Sequence, residues 1–183
     1  MRLETQRLLL RPPEERDVDG YLEVYSDPEV MRFLRSGAST RDEAAVVVGR
    51  MRRHWERHGI GLFSVVRKRD ERLLGRVGFL LWDPGRWVNA MREDLDGELE
   101  LEVGWTLASE HWGRGYATEA ALACRDLALC DLGWKRIVSL IDRTNAASIR
   151  VAEKIGETFE REIVRPELDY RQGLWSLGER IDA

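Results

Sequence analysis

The stretch Trp112-Gly113-Arg114-Gly115-Tyr116-Ala117-Thr118 constrains the fold more than any other part of this 183-residue chain. Before it, Glu98 to Leu107 alternates charged and apolar side chains and reads as a β-strand. After it, a helical pattern runs from about Tyr116 to Leu132. A strand feeding a Gly-X-Gly turn and then a helix gathers unpaired backbone N–H groups and the positive end of the helix dipole in one place. Such a place holds a phosphate or pyrophosphate. Gly113 and Gly115 let the backbone approach it, and Arg114 adds charge. A dinucleotide-binding loop would want a third glycine where Thr118 stands, although Asp142 lies roughly where its acidic residue belongs. A nucleoside-triphosphate loop would want Gly-Lys-Ser/Thr, which is missing. The bland alternative is a tight strand-to-helix turn without a ligand.

The rest of the chain reads as strands and helices in alternation. Arg7 to Arg11 is a first strand, stopped by Pro12-Pro13. A short helix through Tyr21 and Tyr25, capped by Asp17 or Asp19, precedes a second one over Val30 to Leu34. Thr40-Arg41-Asp42-Glu43 is a capping-box pattern, and Ala44, Val47, Val48, Met51 and Trp55 continue a long helix to Gly59. Ile60 to Arg67 and Leu73 to Trp82 form a hairpin around a charged turn. Asp83 to Gly97 is a long irregular stretch, of the length that carries function or moves. Past the central helix come a strand (Arg136 to Ile141), a helix (Ser148 to Ile155) and two strands (Thr158 to Ile163, Leu174 to Ile181). The order β-α-α-α-β-β-β-α-β-α-β-β predicts one α/β domain over residues 1–183, a mixed sheet with helices on both faces.

Composition excludes several classes. Hydrophobic residues make up 43%, so the chain can build a core. With 29 basic and 33 acidic side chains the net charge is −4, which argues against general nucleic-acid binding. The N-terminal apolar run is only Leu8 to Leu10, whereas a secretory core needs roughly 7 residues or more and a membrane helix about 20. The chain therefore reads as cytoplasmic, with no membrane partner. Cys124 and Cys130 fall on different faces of one helix and read as buried free thiols.

Glu102-Val103-Gly104-Trp105-Thr106-Leu107 followed by His111-Trp112-Gly113-Arg114-Gly115-Tyr116-Ala117-Thr118-Glu119-Ala120 resembles the central cofactor motif of the GNAT (Gcn5-related) N-acetyltransferases. The likeness is greatest to the RimJ/RimL-like branch, which acetylates ribosomal-protein N-termini, other amines and some antibiotics. Thr5 to Arg11 with Ser26-Asp27-Pro28-Glu29-Val30, and Asn145-Ala146-Ala147-Ser148 with Glu153-Lys154-Ile155-Gly156, resemble that branch as well. The resemblance implies a mostly antiparallel sheet of six to seven strands, splayed between strands 4 and 5. It implies acetyl-coenzyme A as acyl donor and no metal. The pantetheine arm would lie in the split, bonded to backbone at Trp105, Thr106 and Leu107, with Asn145 holding it and the pyrophosphate on the N–H groups from Trp112 to Thr118. Ala117 and Trp112 depart from the wider pattern in ways common to this branch, and Glu157 stands where an apolar residue is usual.

An amine must be neutral to attack a thioester, and a lysine side chain titrates near ~10.4 against ~7.7–8.0 for a chain N-terminus, so a carboxylate base helps. Glu98, Glu100 and Glu102 share one face of a strand. Resemblance favours Glu102, whereas a bulge would favour Glu100; a merely solvated strand face is the alternative. The departing thiolate needs a proton. Many family members use a Tyr that is Ala152 here, whereas some RimJ/RimL-like members place a serine at the position of Ser148. Ser148 also reads as the cap of its helix. His54 and His58, at i and i+4, lack a third metal ligand.

The acceptor is an amine, either a peptide N-terminus or a small cationic amine. Seven acids between Asp83 and Glu102 (with Glu93, Asp94, Asp96, Glu98 and Glu100) make a field that attracts cations, or simply an acidic surface. Trp82, Trp87 and Met91 offer an apolar wall or a dimer contact, and a homodimer is common among relatives. Competing readings are a non-catalytic acyl-coenzyme A sensor and a transferase of a larger acyl group such as succinyl, with Arg150 as its cation.

Overall fold

The computed structural model describes residues 1–34, 37–91, 95, 97–165 and 170–179. Strands β1 (Leu3–Glu4) and β2 (Leu8–Arg11) open the chain. Helices α1 (Val18–Ser26), α2 (Pro28–Met31) and α3 (Arg41–His58) follow. Then come β3 (Leu62–Arg67), β4 (Arg72–Trp82) and β5 (Glu100–Leu107). The second half is α4 (Tyr116–Asp126), β6 (Arg136–Ile141), α5 (Ala146–Lys154), β7 (Thr158–Arg165) and β8 (Tyr170–Gly178). The eight strands form one sheet in the order β1-β2-β3-β4-β5-β6-β8-β7. The eighth strand is two-residue β1, too short to announce itself by alternation; with it counted, the split expected between the fourth and fifth strands falls where expected, between β5 and β6.

Local chemistry explains most boundaries. Thr40 and Glu43 form the reciprocal capping box of α3, and Gly59 ends that helix in the left-handed region at φ 68°. Asp17, in contrast, does not cap α1 with its side chain. Its carboxylate is instead held by Arg11 at 2.6 and 2.7 Å and by Ser64 at 2.8 Å, a buried charge satisfied from two strands. Helix α5 begins two residues before Ser148, because Asn145 Oδ1 accepts from the Ser148 N–H at 3.0 Å. Asn145, not Ser148, is therefore the cap. α4 continues as a π turn over Leu127–Asp131. The last strand starts earlier than Leu174; Ile181 lies outside the described residues.

The sheet separates two cores because strand side chains alternate. Val77, Phe79 and Leu81 of β4 pack with Leu101, Val103 and the α4 residues Ala120 and Cys124. Leu80 and Trp82 face the other way, with Tyr21, Val48 and Met51 of α1 and α3. Cys124 is buried, whereas Cys130 is exposed, contrary to the reading of both as buried thiols. The 83–91 segment is folded back: Asp83 Oδ1 accepts from the N–H groups of Gly85 and Arg86, and Asn89 bridges to Trp82. Among the described residues no helix is long and apolar enough to cross a membrane, and no group of three or more His, Cys, Asp or Glu could hold a metal ion.

Candidate active site

β5 and β6 run parallel but register at a single pair, Glu102 with Val138. Beyond it the strands part, and the edge of β5 from Gly104 to Leu107 faces a split. Ser139 Oγ reaches across the start of it to the Val103 carbonyl at 2.7 Å. Backbone groups along a strand point alternately to its two sides. The Thr106 carbonyl points at β4, where it lies 2.1 Å from the position a Gly75 Cβ would take. Thr106 thus pairs with β4, and Trp105 and Leu107 are left to face the split. The Leu107 carbonyl is in turn claimed by Trp112 Nε1 at 2.8 Å. Of the three backbone contacts expected for an extended arm, the Thr106 one is turned away from the split, and the Leu107 carbonyl already has one donor.

The split widens into a groove of about 390 Å3, lined by Trp105, Thr106 and Leu107, by Trp112, Gly113 and Gly115 to Thr118, and by Asn145 and Ser148 of α5. At its far end Gly113 and Gly115 have φ of 71° and 79°, and nothing lies within 4 Å of a Gly113 Cβ. The first backbone bond of α4 runs from Glu119 N to Gly115 O, so the N–H groups of Tyr116, Ala117 and Thr118 precede the helical ladder. Trp112 is different: its N–H donates to Ser109 O at 3.0 Å and is unavailable to a ligand. The Arg114 side chain is exposed and does not line the groove. This cradle fits a pyrophosphate on backbone donors, and Lys154 and Arg150 on the groove wall supply the cationic side chains.

Three residues quoted in the family resemblance but given no role from sequence hold the cradle in place. Arg7 donates to the Arg114 carbonyl at 3.0 Å and lies 4.4 Å over the Tyr116 ring. Its Nε and backbone N–H meet Glu119, which also accepts from Thr5 Oγ1. Those contacts hold the Glu119 carboxyl below the usual range, against the desolvation that opposes them. No local pattern signals a tie spanning more than a hundred residues.

On the other side of the sheet a second cleft, of about 280 Å3, meets the groove at Trp105, Thr106, Asn145 and Ser148. Glu102 lies in it, 8% exposed, and accepts from Trp82 Nε1 at 2.5 Å. Its Oε1 hangs over Gly104, 3.3 Å from where a Cβ would be. Glu100 is otherwise engaged: Arg136 lies 3.2 Å from it and also bonds Glu160. The β4–β5 register is unbroken from Gly75–Leu107 to Trp82–Glu100, so no bulge shifts Glu100 into the place of Glu102. Glu98 is exposed ahead of the strand. Asp83 is tied to Arg86, Glu93, Asp94 and Asp96 lie outside the described residues, and among the described residues the acids lining the cleft are Glu102 and Asp142. Trp82 and Trp87 are buried against each other, which makes them wall rather than dimer contact.

Ser148 stands where the two clefts join. Its Oγ accepts from Trp105 Nε1 at 3.3 Å, which leaves its own proton to give. Ala152 is fully buried behind it. Glu157 supplies an acid that the sequence showed only as a departure from pattern. It is 2% exposed, and its Oε1 lies 3.0 Å from Ser139 Oγ. A hydroxyl carries one proton, and the Val103 carbonyl can only accept it. Ser139 thus has one proton for two acceptors, the Val103 carbonyl and Glu157, so the buried carboxyl is poorly supplied with donors and its neutral form is favoured. Burial, with the charge of Glu102 assisting, pushes its pKa up to about 8 in spite of the Ser139 hydrogen bond and Arg136.

A parallel–antiparallel sheet opened at one pair, a Gly-X-Gly helix start beside the opening and a carboxylate, Glu102, in the adjoining cleft define an acyl-coenzyme A transferase scaffold. The sequence profile of the acetyltransferase (GNAT) domain matches residues 7–158, and the chain belongs to that family. The Bacillus subtilis protein YkkB is 33% identical over 165 residues, 88% of each chain. The structure of a GNAT-family acetyltransferase from Bacillus anthracis superposes with a TM-score of 0.77 at 25% identity, covering 97% of this chain and 98% of that one. RimL, a ribosomal L7/L12 α-N-protein acetyltransferase solved with coenzyme A, shares the fold at TM-score 0.77 and 15% identity, over 97% and 98% of the two chains.

Proposed function

We propose that this protein transfers the acetyl group of acetyl-coenzyme A to a primary amine, a peptide N-terminus or a small amine, by direct attack with both substrates bound. One observation carries the reading: the groove with the phosphate cradle and the cleft with Glu102 meet at Ser148. The donor supplies an activated thioester, and this chain's residues do the rest. Gly113 to Thr118 hold its pyrophosphate, and Trp105 offers backbone to its arm. Glu102 takes the proton that the acceptor must shed before its nitrogen can attack. Trp82 fixes that carboxylate from one side. Ser148, oriented by Trp105, gives its proton to the departing sulfur.

The test is turnover with acetyl-coenzyme A, following free thiol, on peptide N-termini, lysine peptides, amino acids and polyamines. Glu102→Gln should lower kcat by about a hundredfold or more, the usual contribution of a general base, with coenzyme A affinity unchanged. Tight coenzyme A binding without turnover on any amine would mark a sensor instead.

A further inference from the structure

Three arginines are buried among the described residues, and each has an acid partner: Arg11 with Asp17, Arg67 with Asp70, and Arg136 with Glu100 and Glu160. Half-buried Arg76 breaks the pattern. It projects from β4 into the Glu102 cleft, forms no ion pair with a described residue, and its Nε is buried without a hydrogen-bond partner. Arg50 of α3 lines the same cleft and likewise has no acid partner among the described residues. A guanidinium taken partly out of water and left unpaired is costly, and a carboxylate or phosphoryl group is what its planar fork fits. The cleft holds an orphan of the opposite kind as well. Gln172 donates to the Leu140 carbonyl at 3.2 Å, while its Oε1 is buried without a donor.

Resting on the acetyl-transfer reading, we infer that the acceptor is an amine carrying its own anionic group, with the anion seated on Arg76 and Arg50 and the amine directed to Glu102. The β4–β5 register sets the scale. Arg76 pairs with Thr106 and Leu80 with Glu102, so the two charged positions stand four residues apart along one sheet face, roughly 13 Å between Cα atoms. Between them Gly104 puts no side chain into the cleft. Two long side chains reaching inward leave room for a molecule of amino-acid to dipeptide size, not for a long polyamine. Gln172 Oε1 supplies an acceptor for one of its N–H groups.

The experiment is calorimetric binding of matched pairs to the protein saturated with coenzyme A: an α-amino acid and its carboxamide, phosphoethanolamine and ethanolamine, with spermidine as the purely cationic control. The anionic member of at least one pair should bind about tenfold or more tightly than its twin, a difference of ~1.4 kcal/mol. Arg76→Gln should erase that ratio, Arg76→Lys restore part of it and Arg50→Gln reduce it, with coenzyme A affinity and melting temperature held. A preference within the carboxylate pair alone assigns an amino acid or peptide carboxylate; within the phosphate pair alone, a phosphorylated amine. Equal binding of both twins, preference for spermidine, or a ratio that survives Arg76→Gln overturns the inference and leaves acetyl transfer standing. Failure of the wild-type protein to bind coenzyme A would sink the acetyl-transfer reading, and this inference with it.

Discussion

At the scale of single residues the site works by committing each proton. Ser139 shares its only one between Val103 and Glu157, and Trp82 and Trp105 give theirs to Glu102 and Ser148. Ser148→Ala should therefore cut kcat sharply while leaving coenzyme A affinity intact, read by single-turnover thiol release against equilibrium binding. Glu157 makes a pH prediction with a definite sign. The unfolded chain ionises this group above about 4.5, whereas the folded chain keeps it protonated to about 8. Between those values the native state binds the extra proton, so stability falls as pH rises through the window. Glu157→Gln should flatten that slope in melting temperatures taken from pH 5 to 9. An unchanged slope would show that Glu157 ionises freely. Glu102 and Ser148 were legible in the sequence because a strand alternates and a family motif flanks them. Glu157 was legible only as an oddity, because its role depends on a hydroxyl of a different strand.

At the scale of elements the phosphate cradle depends on backbone conformation. Gly115 is the residue before α4 at φ 79°, where a side chain costs roughly 1–2 kcal/mol, and its Cβ would meet Arg7 Nη2 at 3.4 Å. Gly115→Ala should weaken coenzyme A binding with little change in kcat for saturated enzyme. Asn145→Ala removes the cap of α5 and should cost about 1 kcal/mol of stability, seen in denaturant midpoints. The strand–turn–helix order was readable because glycine spacing, capping residues and hydrophobic period are all local signals. The cap of α5 was misassigned by three residues, since Asn145 and Ser148 are both good caps and only the fold shows which one accepts. The withdrawn contacts escaped for a similar reason: sequence shows neither which side of a strand the Thr106 backbone faces nor that the Trp112 N–H is spent on Ser109 in the turn.

At the scale of the whole molecule, the N-terminal strands and the cradle helix are joined through Thr5, Arg7 and Glu119. Glu119→Gln should loosen the cradle from a distance, lowering coenzyme A affinity and melting temperature together; loss of one without the other would separate the two roles. The architecture was readable from element order, whereas this long-range tie, and an Arg76 without an acid partner among the described residues, emerge only when distant segments meet. The single register pair between β5 and β6 has a mechanical consequence. Under tension the sheet has one weak seam, with β1 to β5 on one side and β6 to β8 on the other, and few rungs there share the load. A donor arm lying along β5 acts as a clasp across that seam, so a molecule stretched between its two halves should yield at higher force when loaded than when empty.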